Sequence, residues 1–216
     1  MIFFLISKKF IFNLLILILL SSCQYKIKRD SEYFCRNYKL DCVRENIIVT
    51  FKTSKGNFDV ELFGSSNPLT VSNFKKNISD NIYKNSKFYK LIEYSNTKII
   101  RGGILNHENK GYILNNKSIK TIPLEIQLTN KQEPIYNMEI GDPLEFKFLK
   151  NAPQKGSISM VKISKTKSSS TEFFISTQKS AALEGRYSVF GKVINGFEIL
   201  ENIDNKDHIL EIEFNN

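Results

Sequence analysis

The chain has 216 residues, 41% of them hydrophobic and 25% charged, with 31 Lys and Arg against 22 Asp and Glu. These proportions are ordinary for a globular protein, and the length suits one domain with additional segments. The net charge of +9 is spread over lysines scattered beside Asn, Ser and Ile. No basic helix or basic–aromatic module stands out, so nucleic-acid binding is not expected.

The chain opens with Lys8 and Lys9, then an apolar run from Phe10 to Leu20 broken only by Asn13. A bilayer span needs roughly 20 apolar residues, so this run is too short to cross comfortably and fits the apolar core of a secretory signal. It ends in Leu20-Ser21-Ser22-Cys23. Small residues before a cysteine, directly after an apolar run, resemble the lipobox of bacterial lipoproteins. The resemblance implies removal of residues 1–22 as a signal peptide and lipidation of Cys23. Several acyl chains give stable anchoring, each buried CH₂ contributing about 0.8 kcal/mol. The competing reading is an uncleaved signal anchor. The expected location is therefore the exported side of a bacterial envelope membrane.

Residues 23–45 are polar and basic, with Lys26, Lys28, Arg29, Arg36, Lys39 and Arg44, and read as a tether lying near anionic headgroups. Cys35 and Cys42 remain after export. In an oxidising compartment an even pair commonly forms a disulfide, and two free thiols are the alternative. A metal site is not expected here, because no His or further Cys is close.

Regular patterning starts at Ile47, which opens the domain taken as residues 46–216. Residues 47–52 are β-branched and aromatic, Ser54-Lys55-Gly56-Asn57 is a turn cluster, and Phe58, Val60 and Leu62 alternate with Asp59 and Glu61. Together they predict a β-hairpin with one buried face. Asn67-Pro68 predicts a helix start, with Val71, Phe74 and Ile78 on one face. Strands are expected at 88–92, 99–101, 124–126, 144–148, 157–163, 173–176, 188–193 and 210–214, and a short helix at 197–203. Residues 103–122, 127–142 and the Ser168–Thr171 run read as polar loops. Many short strands with few helices predict a mainly β fold, a closed barrel.

Four ordered segments resemble the cyclophilin-type peptidyl-prolyl isomerases. They are Thr53-Ser54-Lys55-Gly56 through Phe63 with Pro68-Leu69-Thr70-Val71-Ser72-Asn73-Phe74; Phe88-Tyr89-Lys90-Leu91-Ile92 with Ile99-Ile100-Arg101-Gly102-Gly103; Gly156-Ser157-Ile158-Ser159-Met160 with Phe173-Phe174-Ile175; and Leu183-Glu184-Gly185-Arg186-Tyr187-Ser188-Val189-Phe190-Gly191-Lys192-Val193. The resemblance spans about Ile47 to Phe214. It implies a closed eight-stranded antiparallel barrel capped by two α-helices, no cofactor or metal, and a monomer acting on proline-containing peptides or exported proteins.

The resemblance also assigns the site. Phe88, Ile99, Met160, Phe174, Leu183 and Tyr187 match positions that line the proline pocket, although Met160 and Ile99 are equally readable as barrel core. The polar side departs from the family. Lys90 stands at the position of the main donor, an Arg, and Arg101 at that of a positioning Gln. Lys162 replaces an Asn, Glu172 a second Gln, Tyr187 a frequent His, and Ala182 a large residue. The 93–98 segment is about three residues longer than in the family. Lys90 and Arg101 are the expected catalytic donors, with Lys162 and Glu172 at the substrate's flank. Substitution of the donors predicts weakened isomerase activity, or a non-catalytic domain that only holds proline-containing segments or a partner.

Overall fold

A computed structural model describes residues 30–94, 97–104 and 121–215, and for 90–94 and 97–98 the backbone alone. The hairpin forms as its alternation dictates. Strand β1 (Ile47–Thr53) pairs antiparallel with β2 (Gly56–Leu62) in the register Val49 to Val60 and Phe51 to Phe58. Those four side chains are all turned into the core. The remaining barrel strands are β3 (Ser86–Tyr94), β4 (Thr97–Gly103), β8 (Ser157–Lys162), β9 (Lys167–Ser176), β10 (Val189–Asn195) and β11 (His208–Phe214). Their order is β4-β3-β11-β1-β2-β10-β8-β9, and a β4–β9 pairing closes the ring. Eight antiparallel strands thus form a closed barrel. Short strand β5 (Thr121–Pro123) is added to β9, and a two-stranded ribbon, β6 (Glu125–Ile126) with β7 (Ile135–Tyr136), stands apart.

The barrel interior is packed with aromatic rings. Phe51 stacks on Phe58 at 4.7 Å between centroids, and Phe74 meets Tyr83 at 4.8 Å and Phe190 at 5.0 Å. Phe173 approaches Phe51 and Phe74 edge-on. Offset and edge-to-face rings are the favoured geometries and add to the apolar burial. Phe74 comes from helix α2 (Pro68–Ser79), which closes one mouth of the barrel with Val71 and Ile78. Helix α3 (Phe197–Glu201) contributes Leu200.

Asn67 precedes α2 as expected, but its side chain makes no capping bond. The cap comes from far along the chain. The fully buried Glu125 carboxylate accepts the backbone N–H of Leu69 at 3.1 Å and of Thr70 at 2.8 Å. A carboxylate suits the positive end of a helix, where the first N–H groups lack partners. Asn67 instead donates to the Glu125 backbone carbonyl at 3.2 Å. The Tyr136 hydroxyl lies 2.8 Å from Glu125 Oε1.

Four segments differ from what their sequence leads one to expect. The 23–45 segment is not a tether throughout: from Asp30 it is folded onto the domain. Helix α1 (Ser31–Asn37) is capped by the Asp30 side chain, and Phe34 and Cys35 are buried against Leu69 of α2. Phe34 also lies over the Tyr136 ring, 4.0 Å between centroids, and Cys35 is bonded to Cys42. Residues 144–148 are not a strand but part of a 3-10 helix, Pro143–Phe148, because Asp142 caps it and Pro143 sets its first turn. Residues 127–142 are more than a polar loop. They hold β7 and bury Leu128 and Ile140 in a second small core with Leu124 and Ile126. The Ser168–Thr171 run belongs to β9, with its serines buried and Ser170 accepting from Asn73 and Asn77 of α2.

Cys23 and the signal segment lie outside the described residues, as does most of the 103–122 segment. Among the described residues no helix is long and apolar enough to cross a membrane.

Candidate active site

The site follows from the β4–β9 seam that closes the barrel. Side chains alternate across a strand. Ile100 of β4 and Phe173 and Ile175 of β9 point into the core, so Ile99 and Arg101, with Glu172 and Phe174, belong to the outer face. In register, Arg101 is directly opposite Phe174 and Gly103 opposite Glu172. A cation, a carboxylate and an aromatic ring are thereby brought together on one patch. Gly103 at the end of β4 has φ +95°, and a Cβ there would collide with the Thr171 carbonyl oxygen. Glycine alone lets the two strands close at this point.

On the apolar side, Phe174 is only 4% exposed. The Tyr187 ring meets it edge to face at 5.1 Å. Lys162 stands over the Tyr187 ring, its Nζ 5.3 Å from the centroid, and donates to Glu139 Oε1 at 2.7 Å. Leu183 ends the short 3-10 helix Ala181–Leu183 just before Tyr187 and is half-buried, while Ala182 is exposed. Ile99, two residues from Arg101 on the same face, is half-buried and opposite Ser176.

On the polar side, Glu172 is fully buried. Its Oε1 accepts the Tyr89 hydroxyl at 2.7 Å and Arg101 Nη2 at 3.3 Å. The guanidinium carbon of Arg101 is 5.7 Å from the Tyr89 ring centroid. Burial, then the charge of Glu172, push the Tyr89 hydroxyl far above the usual tyrosine range, so it stays protonated and donates.

Of the residues chosen from sequence, Arg101, Glu172, Phe174, Tyr187, Lys162 and Ile99 are gathered around this outer patch. Phe88 and Met160 are not. Both are fully buried and packed among the interior side chains of the barrel, because their strand positions have the parity of Phe173 and Ile158 rather than of Phe174. Lys90 is opposite Arg101 in the β3–β4 register. Its side chain lies outside the described residues. Tyr89 was not among the expected site residues. The register runs from Phe88–Gly102 to Lys90–Arg101 and so leaves Tyr89 as the extra residue of a β-bulge. Bulges re-aim side chains and break the alternation on which a strand reading rests. Glu139 was equally unforeseen, since it follows the polar 127–137 stretch and carries no motif. Among the described residues no group of three or more His, Cys, Asp or Glu is arranged to hold a metal ion.

The outer face of the closed eight-stranded barrel thus joins an aromatic pair to an arginine held by a carboxylate. The family model for the cyclophilin type peptidyl-prolyl cis-trans isomerases matches residues 48–212. A peptidyl-prolyl cis-trans isomerase of Acinetobacter baylyi is 28% identical over 165 residues, covering 74% of this chain and 73% of that protein. The crystal structure of a Cryptosporidium parvum cyclophilin type peptidyl-prolyl cis-trans isomerase superposes with a TM-score of 0.56, at 24% identity, over 79% of this chain and 98% of that one. The same protein, crystallised in the presence of the dipeptide Ala-Pro, gives a TM-score of 0.54 at 27% identity, over 78% and 99% of the two chains. The chain belongs to the cyclophilin-type peptidyl-prolyl cis-trans isomerase family.

Proposed function

We propose that this isomerase works on exported proteins from a lipid anchor on Cys23, with Arg101 as the principal donor to the twisting amide and Lys90, opposite it in the strand register, as a second donor. The observation that carries the donor assignment is the placement of Arg101 directly across the seam from Phe174, on the face that Tyr187 walls. Rotation about the bond preceding proline breaks no covalent bond, but it opposes a barrier of about 18–20 kcal/mol. As the amide leaves planarity its nitrogen recovers a lone pair. An N–H aimed at that nitrogen stabilises the twisted state more than the planar one, which is the condition for a higher rate. The proline ring lies against Phe174, with Tyr187, Ile99 and Leu183 around it. Arg101 stands across the seam from that ring. Lys162 and Glu139 then meet the chain flanking the proline.

The test is exchange NMR on an Ala-Pro peptide with the full chain in mild detergent. Catalysed cis–trans exchange is expected, with kcat/KM at least about tenfold lower in Arg101→Ala and reduced in Lys90→Ala. Undiminished exchange in Arg101→Ala overturns the donor assignment. Peptide binding without acceleration in the unsubstituted chain leaves the non-catalytic reading. The anchor is tested separately. Cys23→Ser is expected to abolish incorporation of labelled palmitate and to release the protein from the membrane fraction, and retention of the label argues against lipidation at Cys23.

A further inference from the structure

We propose that Glu172 is a positioning residue. It holds the Arg101 guanidinium on the outer patch in a donor orientation, and Tyr89 locks its carboxylate from the other side. The inference rests on the reading of Arg101 as donor and adds what makes that donor effective.

Arg101 is not a freely solvated surface charge. Only 18% of its side chain is exposed, and its counter-ion is exposed not at all. An arginine this deep needs a fixed partner, since a buried charge without one is strongly unfavourable. Glu172 is itself fixed at the main chain, where its N–H donates to Ser169 Oγ at 2.9 Å. Its carboxylate is fixed by the Tyr89 hydroxyl at 2.7 Å. Tyr89 reaches it only because the bulge between Phe88 and Lys90 takes it out of the ladder.

The ion pair is made through a single nitrogen. Arg–carboxylate pairs are frequently side-on, two N–H groups meeting two oxygens. Here one oxygen, Oε1, serves both Tyr89 and a single Arg101 nitrogen. Arg101 Nε and Glu172 Oε2 are buried and unpartnered among the described residues. Buried polar atoms are seldom left so. Among the described residues the contact therefore engages one nitrogen, balances the guanidinium charge and leaves Nε short of an acceptor, which a bound ligand would supply. The Tyr89 ring, 5.7 Å from the guanidinium carbon, limits its swing on a second side. A neutral Gln at 172 would accept the same hydrogen bonds but would not balance the charge.

The experiment measures kcat and KM by exchange NMR on the Ala-Pro peptide, using the full chain in detergent. The variants are Arg101→Gln, Glu172→Gln, Glu172→Asp, Tyr89→Phe and the double Arg101→Gln/Glu172→Gln, each checked for folding by circular dichroism. Glu172→Gln is expected to lower kcat about tenfold with KM changed less than about threefold, the signature of an interaction used in the transition state. Glu172→Asp keeps the charge and is expected to recover part of that loss. In the Arg101→Gln background, Glu172→Gln is expected to change kcat by less than about twofold, because a residue acting through another has nothing left to act on. Equal losses in both backgrounds, or no loss from Glu172→Gln while Arg101→Gln is impaired, overturn the positioning role and leave the donor standing. An unimpaired Arg101→Gln overturns the donor reading itself. Should Glu172→Gln fail to fold, Tyr89→Phe gives the same reading: its effect on kcat must vanish in the Arg101→Gln background.

Discussion

Phe174 and Tyr187 meet edge to face with 5.1 Å between ring centroids, although they come from different segments of the chain. Such a contact contributes about 0.5–1.5 kcal/mol beyond apolar burial, and it uses the ring of Tyr187 rather than its hydroxyl. Tyr187→Phe is therefore expected to keep kcat/KM within about twofold of the parent, whereas Phe174→Ala is expected to lower it at least tenfold. Titration of an Ala-Pro peptide by NMR distinguishes loss of binding from loss of rate. A Tyr187→Phe variant as impaired as Phe174→Ala would move the role of Tyr187 from its ring to its hydroxyl.

The Cys35–Cys42 bond closes a loop across a separation of seven residues. Chain-entropy reasoning gives a loop of this size about 2–3 kcal/mol. The bond sits in α1 and its following turn, which rest on Leu69 and Tyr136 outside the barrel. In Cys35→Ser/Cys42→Ser, amide hydrogen exchange is expected to accelerate over residues 31–43 and to stay unchanged in β1, β2 and β10. The isomerase rate is expected to be unaltered. Faster exchange throughout the barrel would show that the N-terminal segment opens together with the rest rather than separately.

Glu125 gives a pH dependence with a definite sign. Burial pushes its carboxyl above the ordinary range, against the pull of Thr70, Tyr136 and Leu69. A raised folded pKa means that the stabilisation is fully present below the unfolded value of about 4.3 and is lost as pH rises through the folded one. Glu125→Gln lacks this titration. Across thermal melts from about pH 4 to pH 8, the Tm of the unsubstituted chain is expected to decline relative to that of Glu125→Gln. The opposite slope would mean that the helix N–H groups dominate over burial.

Gly103 links the backbone to the site. Its φ of +95° and the nearby Thr171 carbonyl make any side chain there strained. Gly103→Ala is expected to cost about 1–3 kcal/mol. It should also lower kcat/KM, because Gly103 is opposite Glu172 in the register and two residues from Arg101. Urea unfolding combined with exchange NMR checks both parts, and a variant as stable and active as the parent contradicts them.

Alternation and turn chemistry made the β1–β2 hairpin and the start of α2 legible in the sequence, since Phe58, Val60 and Leu62 bury one face and Pro68 opens a helix. Arg101, Glu172 and Phe174 were legible through the resemblance to the cyclophilins, and the β4–β9 register brings them together on one face of the seam. Met160 was misassigned by a parity that only the register reveals: it is opposite Phe173 and so inside the barrel. The Pro143–Phe148 turn was misread because Leu144, Phe146 and Phe148 alternate like a strand while Asp142 and Pro143 impose a helical start. The Ser168–Thr171 run was misread because its polarity suggested solvent, whereas α2 supplies the amide donors that let it be buried. Tyr89 was invisible because a bulge is a property of two strands together.

The first turn of α2 is finished by a carboxylate that lies 55 and 56 residues further along the chain. That helix is consequently incomplete while the amino-terminal half stands alone during synthesis, and it gains its last partner only when the β6 ribbon arrives. Contacts of such long sequence separation form late and slowly. A nascent or truncated chain ending before residue 125 also lacks β8, β9, β10 and β11, so α2 has no closed barrel to cover and its apolar face of Val71, Phe74 and Ile78 stays exposed, a form suited to recognition by chaperones.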